Sequence, residues 1–336
     1  MGNLARTKGA LVVFLCAIII CAMSISVATT APVRVLKQAN SSPDDAPMPL
    51  ALAKMAEILE RKSNGALKME IFSNSQLGTA RECLESVQSG VIDITSQTLA
   101  AMGGFTDAGL IFDLPYLFKT EEDAERILDG PIGQTILKNM ESAGFVGLGW
   151  YSQGWRHLTT TKKEVHAPSD MVGLKIRVME NPLHIAHFKA LGASPIPMAY
   201  SEVLTSLQQG VIDGQENPYV NIKLSGLYEV QKYVIETAHI YDPIPLVISK
   251  VVWDSMSADE QKWTLEAAEE GKIYERELTR KMDAEIKGEF QKGGRNVVIE
   301  LTPDERAAFR QAVESVYQEW GPRFGDVLQQ ILKSQE

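Results

Sequence analysis

The segment ECLESVQSGVID, residues 82–93, recurs as EVLTSLQQGVID at residues 202–213, with eight of twelve positions identical at a constant offset of 120. In each copy a helical run ends at a glycine and continues into a short apolar run. This pattern predicts a helix that ends near the glycine and a short buried strand after it, which would start at Val91 in the first copy. One explanation is a common helix–glycine–strand unit used twice, and a more specific one is two equivalent α/β lobes. Asp93 and Asp213 are expected to cap turns after the strands.

The rest of the chain continues this alternation of helices and strands. Apolar residues recur at helical spacing over residues 52–59, and residues 67–71 alternate between apolar and charged side chains, as in a strand. Residues 257–260 form a capping box, and the helix that they predict runs to about Phe290, a length of ~50 Å. A helix of that length is expected to lie across more than one lobe, unless one of its glycines ends it early.

The repeat also predicts where a ligand would bind. Ligands of open α/β sheets bind beyond the carboxyl ends of the strands, so residues 95–97 and 215–217 are expected to face a shared cleft. The offset of 120 makes Gln97 and Asn217 counterparts, which would place two amide side chains on opposite walls. Two lobes around a cleft are suited to hinge closure on a ligand.

Composition and missing motifs favour a binding protein. The chain has 336 residues with 33 Lys+Arg, 43 Asp+Glu and a net charge of −10, which argues against a nucleic-acid partner. It contains no phosphate-binding loop, no dinucleotide-binding glycine motif, no nucleophile elbow and no H-E-x-x-H zinc motif. His184 and His187 have helical spacing but no evident third metal ligand. We therefore expect no enzyme activity, cofactor or metal, with an exported hydrolase as the alternative from another class.

The N-terminus predicts export. An arginine and a lysine precede an apolar run at residues 10–27, and small residues follow before Pro32. This arrangement is typical of a secretory signal peptide, here residues 1–31. The alternatives are an uncleaved membrane anchor, because the run is near the length that spans a bilayer, and a lipoprotein site at Cys21. Cys83 would be the cysteine left after cleavage, and it is expected to be buried.

Two arginines stand out near the second copy of the repeat. Leu174, Ile176 and Val178 share one face of a predicted strand, and Arg177 lies on the other face. Arg177 could form a surface ion pair, which would contribute little. Alternatively, Arg177 and Arg156 could line a pocket, since a guanidinium binds a carboxylate through two parallel hydrogen bonds. A cationic pocket in an acidic protein would suit a small anion.

Five short motifs, in order and spacing, make the chain recognisable. They are NSQLG at 74–78, FDLPYLF at 112–118, GLKIR at 173–177, LGA at 191–193 and DGQENP at 213–218. On these motifs, nearly all of the mature chain resembles the periplasmic solute-binding proteins of tripartite ATP-independent periplasmic (TRAP) transporters, the DctP family. The resemblance implies a two-lobed α/β periplasmic binding protein fold of type II-like architecture, with a hinge, crossing strands and a long helix that contacts both lobes.

We expect the chain to cross between the lobes near Gly154 and Asp242, and we expect the protein to be a periplasmic monomer. The predicted division is lobe I at 32–154 plus about 243–282, and lobe II at 155–242 plus about 283–336.

The resemblance also implies functional residues. A ligand carboxylate would pair with Arg177, a second basic contact maps to Arg156, and an amide contact maps to Asn217. Contacts from the first lobe are expected near Asn40 and Gln97.

Partners and substrate class follow from the same resemblance. The captured organic acid would pass to the small and large membrane subunits of a TRAP permease. A sugar acid such as a uronate is favoured over a C4-dicarboxylate, since many hydroxyls need many polar partners. Asn40, Gln97, Asn181 and Gln215 are the candidate amides. The alternative among binding proteins is a receptor of an ABC transporter.

Overall fold

Nine strands form one mixed sheet in the part of the chain that the structure describes, residues 33–336. The structure is a computed structural model, and the predicted signal peptide at residues 1–31 lies outside the described residues. The strands are β1 Arg34–Ala39, β2 Leu67–Phe72, β3 Ile94–Ser96, β4 Phe145–Thr160, β5 Lys175–Val178, β6 Ser194–Pro197, β7 Gly214–Asn217, β8 Tyr233–Ser249 and β9 Val297–Ile299. Their order across the sheet is β2-β1-β3-β8-β4-β7-β5-β6, and β9 pairs with β8.

Thirteen α-helices lie in the same residues, and none of them is long and apolar enough to cross a membrane. They are α1 Pro47–Lys62, α2 Ala80–Gln88, α3 Leu99–Met102, α4 Glu121–Asp129, α5 Pro131–Asn139, α6 Pro182–Ala190, α7 Val203–Gln208, α8 Tyr219–Leu224, α9 Lys250–Asp254, α10 Ala258–Gly293, α11 Pro303–Ala312, α12 Glu314–Trp320 and α13 Asp326–Lys333.

The repeated segment forms two equivalent units within the sheet. In the first unit, β1 is parallel to β2 and β3, and in the second, β5 is parallel to β6 and β7. Helices α2 and α7 each lead into a glycine with positive φ, +75° at Gly90 and +68° at Gly210. Each unit is then attached to a long antiparallel strand, β3 to β8 and β7 to β4.

The prediction for the residues around these strands was wrong in two details. The first strand begins at Ile94 rather than at Val91, and Val91 is 66% exposed. Asp93 precedes its strand instead of capping a turn after it, and its Oδ2 accepts the backbone N–H of Lys37 in β1 at 2.6 Å. The equivalent aspartate, at 213, binds the first residue of β5 in the same way. The carboxylates are held here because they satisfy an N–H of the neighbouring parallel strand.

Strands β4 and β8 pair along almost their full lengths and connect the two units. Their pairing shifts in register between Ser152 and Trp155, and Ser152 lies opposite Pro243. A register shift bends a strand locally, because one partner contributes extra residues. The bend therefore lies at the first predicted crossover, near Gly154. It is also beside Pro243, which belongs to the second predicted crossover.

Helix α10 confirms the predicted long helix. It has 36 residues, which corresponds to ~54 Å, and it begins at the predicted capping box. Neither Gly271 nor Gly288 interrupts it. A β-carbon at Gly271 would lie 2.9 Å from the Tyr151 hydroxyl oxygen, so this glycine permits close packing against β4. The helix packs against α1 and β4 on one side of the bend and against α8 and β9 on the other.

The C-terminal residues return to the first half of the chain. The Gln335 side chain donates to the Leu117 carbonyl at 3.0 Å, and its own backbone carbonyl accepts from Lys119 Nζ at 2.9 Å. The tail thus contacts residues in predicted lobe I, although 283–336 was expected in lobe II. The division into lobes remains a prediction. Cys83 is fully buried, as expected, and burial raises the pKa of its thiol to about 11.

Candidate functional site

A cavity of about 90 Å³ lies at the carboxyl ends of β3 and β7, beside the bend of β4. Gln97 directly follows β3, and Asn217 ends β7; both side chains line the cavity. The two residues related by the offset of 120 are therefore brought to the same space. A volume of this size holds several water-sized groups, which is the scale of a small organic molecule.

Arg177 carries the most distinctive feature of the cavity. Its side chain is 2% exposed, and its Nε and Nη2 donate to the Met198 carbonyl at 3.0 and 2.8 Å. Nη1 makes no hydrogen bond, and no carboxylate lies within 4.0 Å of the guanidinium, among residues 33–336. Burial lowers the pKa of Arg177 to about 10. The surface ion pair considered from the sequence is absent from this part of the chain, and the strand instead presents N–H groups to the cavity.

Arg156 is equally buried but fully engaged by protein carboxylates. Its Nε and Nη2 form two hydrogen bonds with the Glu216 carboxylate, at 2.5 and 2.8 Å, and its Nη1 donates to Asp242 at 2.5 Å. Burial acts to lower the pKa of Arg156, but the two carboxylates raise it above its ordinary value. Asp242 in turn accepts from the Thr98 hydroxyl at 2.6 Å. Arg156 thus joins β4, β7 and β8 at the bend, and most of its hydrogen-bonding capacity is used by the protein.

The cavity amides are held by hydrogen bonds to neighbouring protein groups. Asn217 Oδ1 accepts from Arg156 Nη2 at 3.2 Å, and Asn217 Nδ2 donates to the Gln215 side-chain oxygen. Gln97 Oε1 accepts from the Ser41 hydroxyl at 3.0 Å. These bonds fix the orientation of both amides, which preorganises the wall that a ligand would meet.

Three candidate residues lie outside the cavity lining. Asn40 and Gln215 are buried and bond to neighbouring protein groups. Asn181 caps α6 by accepting the backbone N–H groups of Leu183 and His184, and its Nδ2 donates to Asp113 at 2.9 Å. Asn181 therefore connects α6 to the turn before α4 instead of facing the cavity.

The structure adds wall residues that the sequence reasoning did not identify. Arg81, Gln153 and Tyr200 line the cavity, and the Tyr200 ring lies 6.0 Å from the Arg177 guanidinium carbon. Arg81 pairs with Glu85 at 3.1 Å on the same helix. Of these, Gln153 carried a signal, because it precedes the glycine of the predicted crossover.

Comparison with known proteins identifies a family with this architecture. A family model described as "Bacterial extracellular solute-binding protein, family 7" (DctP) matches residues 39–322. The C4-dicarboxylate-binding periplasmic protein DctP of Rhodobacter capsulatus is 32% identical, over 90% of this chain and 91% of that protein.

Two solved structures are also similar. A TRAP periplasmic solute-binding protein from Polaromonas, bound to D-erythronate, has a TM-score of 0.86 at 35% identity, over 89% of this chain and 98% of that one. The sugar acid binding protein DctPAm from Advenella mimigardefordensis, in complex with galactonate, has a TM-score of 0.87 at 31% identity, over 90% of this chain and 98% of that one.

The connected α/β units, the long helix and the buried cationic cavity define a two-lobed solute-binding protein. The chain belongs to the bacterial extracellular solute-binding proteins of family 7, the DctP family. The family and the fold class predicted from the sequence are thereby confirmed.

Proposed function

We propose that the protein is the extracytoplasmic receptor of a TRAP transporter, which binds a small organic acid through its carboxylate and delivers it to the two membrane subunits of the permease. The observation that carries this proposal is Arg177, a buried guanidinium that faces a cavity with no carboxylate of residues 33–336 within 4.0 Å. An unpaired buried charge is unfavourable. A ligand carboxylate would supply the missing negative charge and two charge-assisted hydrogen bonds.

The walls favour a sugar acid over a C4-dicarboxylate. A second carboxylate would need a second free cation, but Arg156 is already paired with two carboxylates and Arg81 with one. The polar groups that remain are amides and hydroxyls, including Gln153 and Thr98, which suit ligand hydroxyls. Similar proteins that bind D-erythronate and galactonate support this choice.

Closure of the lobes is the second part of the proposal. The ligand would contact both predicted lobes and shift an open–closed equilibrium by its differential affinity for the closed form. Asn181 and His184 would help to hold the closed form, since both side chains reach Asp113 in the other predicted lobe, at 2.9 and 3.3 Å.

Calorimetry with a panel of acids tests the proposed substrate class. Erythronate, galactonate and glucuronate should bind with 1:1 stoichiometry and more tightly than succinate. Succinate binding more tightly than every sugar acid would make the C4-dicarboxylate the substrate class. Failure of every carboxylate to bind, together with turnover of ester or amide substrates, would favour the hydrolase instead.

Small-angle scattering tests closure. The radius of gyration should fall when the tightest acid of the panel saturates the protein. Identical profiles with and without that acid would show a rigid receptor and would contradict the hinge.

A further inference from the structure

A second cavity lies on the opposite face of the same bend. It has a volume of about 730 Å³ and is bounded by β4, β8, α10 and α11. Along β4, Gln153 and Arg156 line the first cavity, whereas Gly154, Trp155 and His157 line the second. We call this second cavity the rear cleft. It is separated from the proposed carboxylate site by a single strand.

Each acidic side chain that lines the rear cleft has a partner within the protein. Glu121 pairs with Arg280 at 3.3 Å, and Glu236 pairs with Lys287 at 2.9 Å. Asp283 accepts the backbone N–H of Val220 at 3.1 Å, and burial raises its pKa to about 8. Asp283 is therefore largely protonated at neutral pH, and Arg280 and Lys287 each also pair with a second glutamate outside the lining.

Three cations of the rear cleft remain without a carboxylate partner. Lys119, Arg306 and Arg310 line the cleft, and within residues 33–336 no carboxylate lies within 4.0 Å of any of them. Arg306 and Arg310 are four residues apart on α11 and so share one face of that helix. An unpaired cationic cluster is notable in a protein with a net charge of −10.

Arg306 is half-buried in the lining of the cleft, whereas Arg310 is exposed. The pKa of His157 is lowered to about 3, mainly by burial and then by the charges of His239 and Arg306. His157 lies on the floor of the cleft, where Phe118 and Tyr219 supply aromatic surface. The cleft thus combines a cationic rim with an aromatic floor.

The backbone of the rear cleft holds two unusual conformations. Tyr116 has a φ of +58° and Ala238 a φ of +43°, and both residues line the cleft. Neither residue type readily adopts positive φ, and such conformations cluster at functional sites. They are held in place by hydrogen bonds, since the Tyr116 N–H donates to the His239 carbonyl at 2.7 Å and the Ala238 N–H donates to His157 Nδ1 at 3.3 Å.

From this geometry we infer that the rear cleft is a second binding site, for a small polyanion with two or more negative charges, such as a phosphorylated or polycarboxylated organic molecule. Lys119, Arg306 and Arg310 bind the anionic groups, and the aromatic floor contacts the body of the ligand. The site is independent of Arg177 and of the carboxylate that the proposed function places there.

Calorimetry at low ionic strength tests the inference, with inorganic pyrophosphate for the phosphorylated class and citrate for the polycarboxylated class. At least one probe should bind the full-length protein with 1:1 stoichiometry, and added salt should weaken the binding. The double variant Arg306→Ala/Arg310→Ala should lower the affinity at least about tenfold. Because each arginine is on the surface of α11, a melting curve of the variant checks that it folds.

A matched control removes the same charge elsewhere. Lys138 and Lys292 are exposed and lie outside the cleft, so Lys138→Ala/Lys292→Ala should keep the affinity within about twofold. Arg177→Ala should also retain probe binding, which separates this site from the proposed carboxylate site.

Three results would overturn the inference. The first is that neither probe binds with 1:1 stoichiometry. The second is that the Arg306→Ala/Arg310→Ala double variant binds as tightly as the wild type, and the third is that Arg177→Ala abolishes probe binding. The single variant Arg310→Glu, at an exposed position, provides a second measurement if the double variant fails to fold, and it should also weaken binding.

Discussion

Replacement of Arg177 should separate ligand affinity from stability. Two charge-assisted hydrogen bonds from its free N–H groups contribute roughly 1.5–3 kcal/mol each, so Arg177→Ala should weaken binding of a sugar acid by about a hundredfold or more. Arg177→Lys should also bind poorly, because an ammonium lacks the planar pair of donors. The measurement is calorimetry with the tightest acid of the panel.

The free protein should respond in the opposite direction. The burial that lowers the pKa of Arg177 to about 10 corresponds to roughly 3 kcal/mol of unfavourable free energy for the charged form at neutral pH. Arg177→Met, which has a long apolar side chain, removes this cost. In urea unfolding, the ligand-free variant should therefore be as stable as the wild type or more stable.

A structural role for Arg177 would give different results. Arg177→Met would then lose stability, and Arg177→Ala would bind the acid within about threefold of the wild type. The control is Arg61→Ala, at an exposed position far from the cavity. This variant should change the affinity by no more than about twofold and the free energy of unfolding by no more than ~0.5 kcal/mol.

Three further predictions concern the bend and the buried charges around it. Burial raises the pKa of Glu275 to about 8, so this group stabilises the fold fully below its unfolded pKa and loses that contribution as pH rises through 8. The free energy of unfolding of Glu275→Gln, compared with that of the wild type, should therefore rise by about 3–4 kcal/mol as the pH goes from 5 to 8, measured by urea unfolding. Gly154→Ala should destabilise by at least ~1–2 kcal/mol in the same assay, because φ is +80° and the new β-carbon would lie 2.6 Å from Asp283 Oδ2. Glu216→Gln should cost about 3–5 kcal/mol, measured by thermal and urea unfolding, since it leaves buried Arg156 with one carboxylate.

Each of these has a matched comparison. Glu57→Gln breaks an exposed ion pair and should change stability by less than ~1 kcal/mol, in contrast to Glu216→Gln. Gly173→Ala has similar positive φ but no atom near the new β-carbon, so it isolates the backbone strain from the contact at Gly154. A flat difference between Glu275→Gln and the wild type across pH 5–8 would mean that Glu275 is ionised in the fold.

Local patterns predicted the architecture because its determinants are local. The repeat contains its own helix, glycine turn and strand, and a capping box in the sequence marks the start of the long helix. The amide pair Gln97 and Asn217 was also predictable, since strand ends in equivalent units occupy equivalent places. The state of Arg156 was not, because its partners Glu216 and Asp242 reach it only through the pairing of three distant strands.

Asn181 shows a local signal with two meanings. An asparagine before a proline is typical of a helix N-cap, and this is the position that the structure gives to Asn181 and Pro182. The same amide was considered as a ligand contact because it follows Arg177 closely in the chain. Arg81 and Tyr200 were missed for the opposite reason, since nothing in their neighbourhoods marks them and only the tertiary fold brings them to Arg177.

The continuous sheet has a consequence for how the chain reaches its native state. The first unit, formed by β1–β3, completes its sheet edge only by pairing with β8, whereas the second unit pairs with β4. The first unit therefore cannot complete its sheet on its own, because β8 lies far along the chain, whereas β4 directly precedes β5 of the second unit. Since non-local pairing of this kind slows folding, the rate-limiting step should be the docking of β8, and the two units should melt together in one cooperative transition.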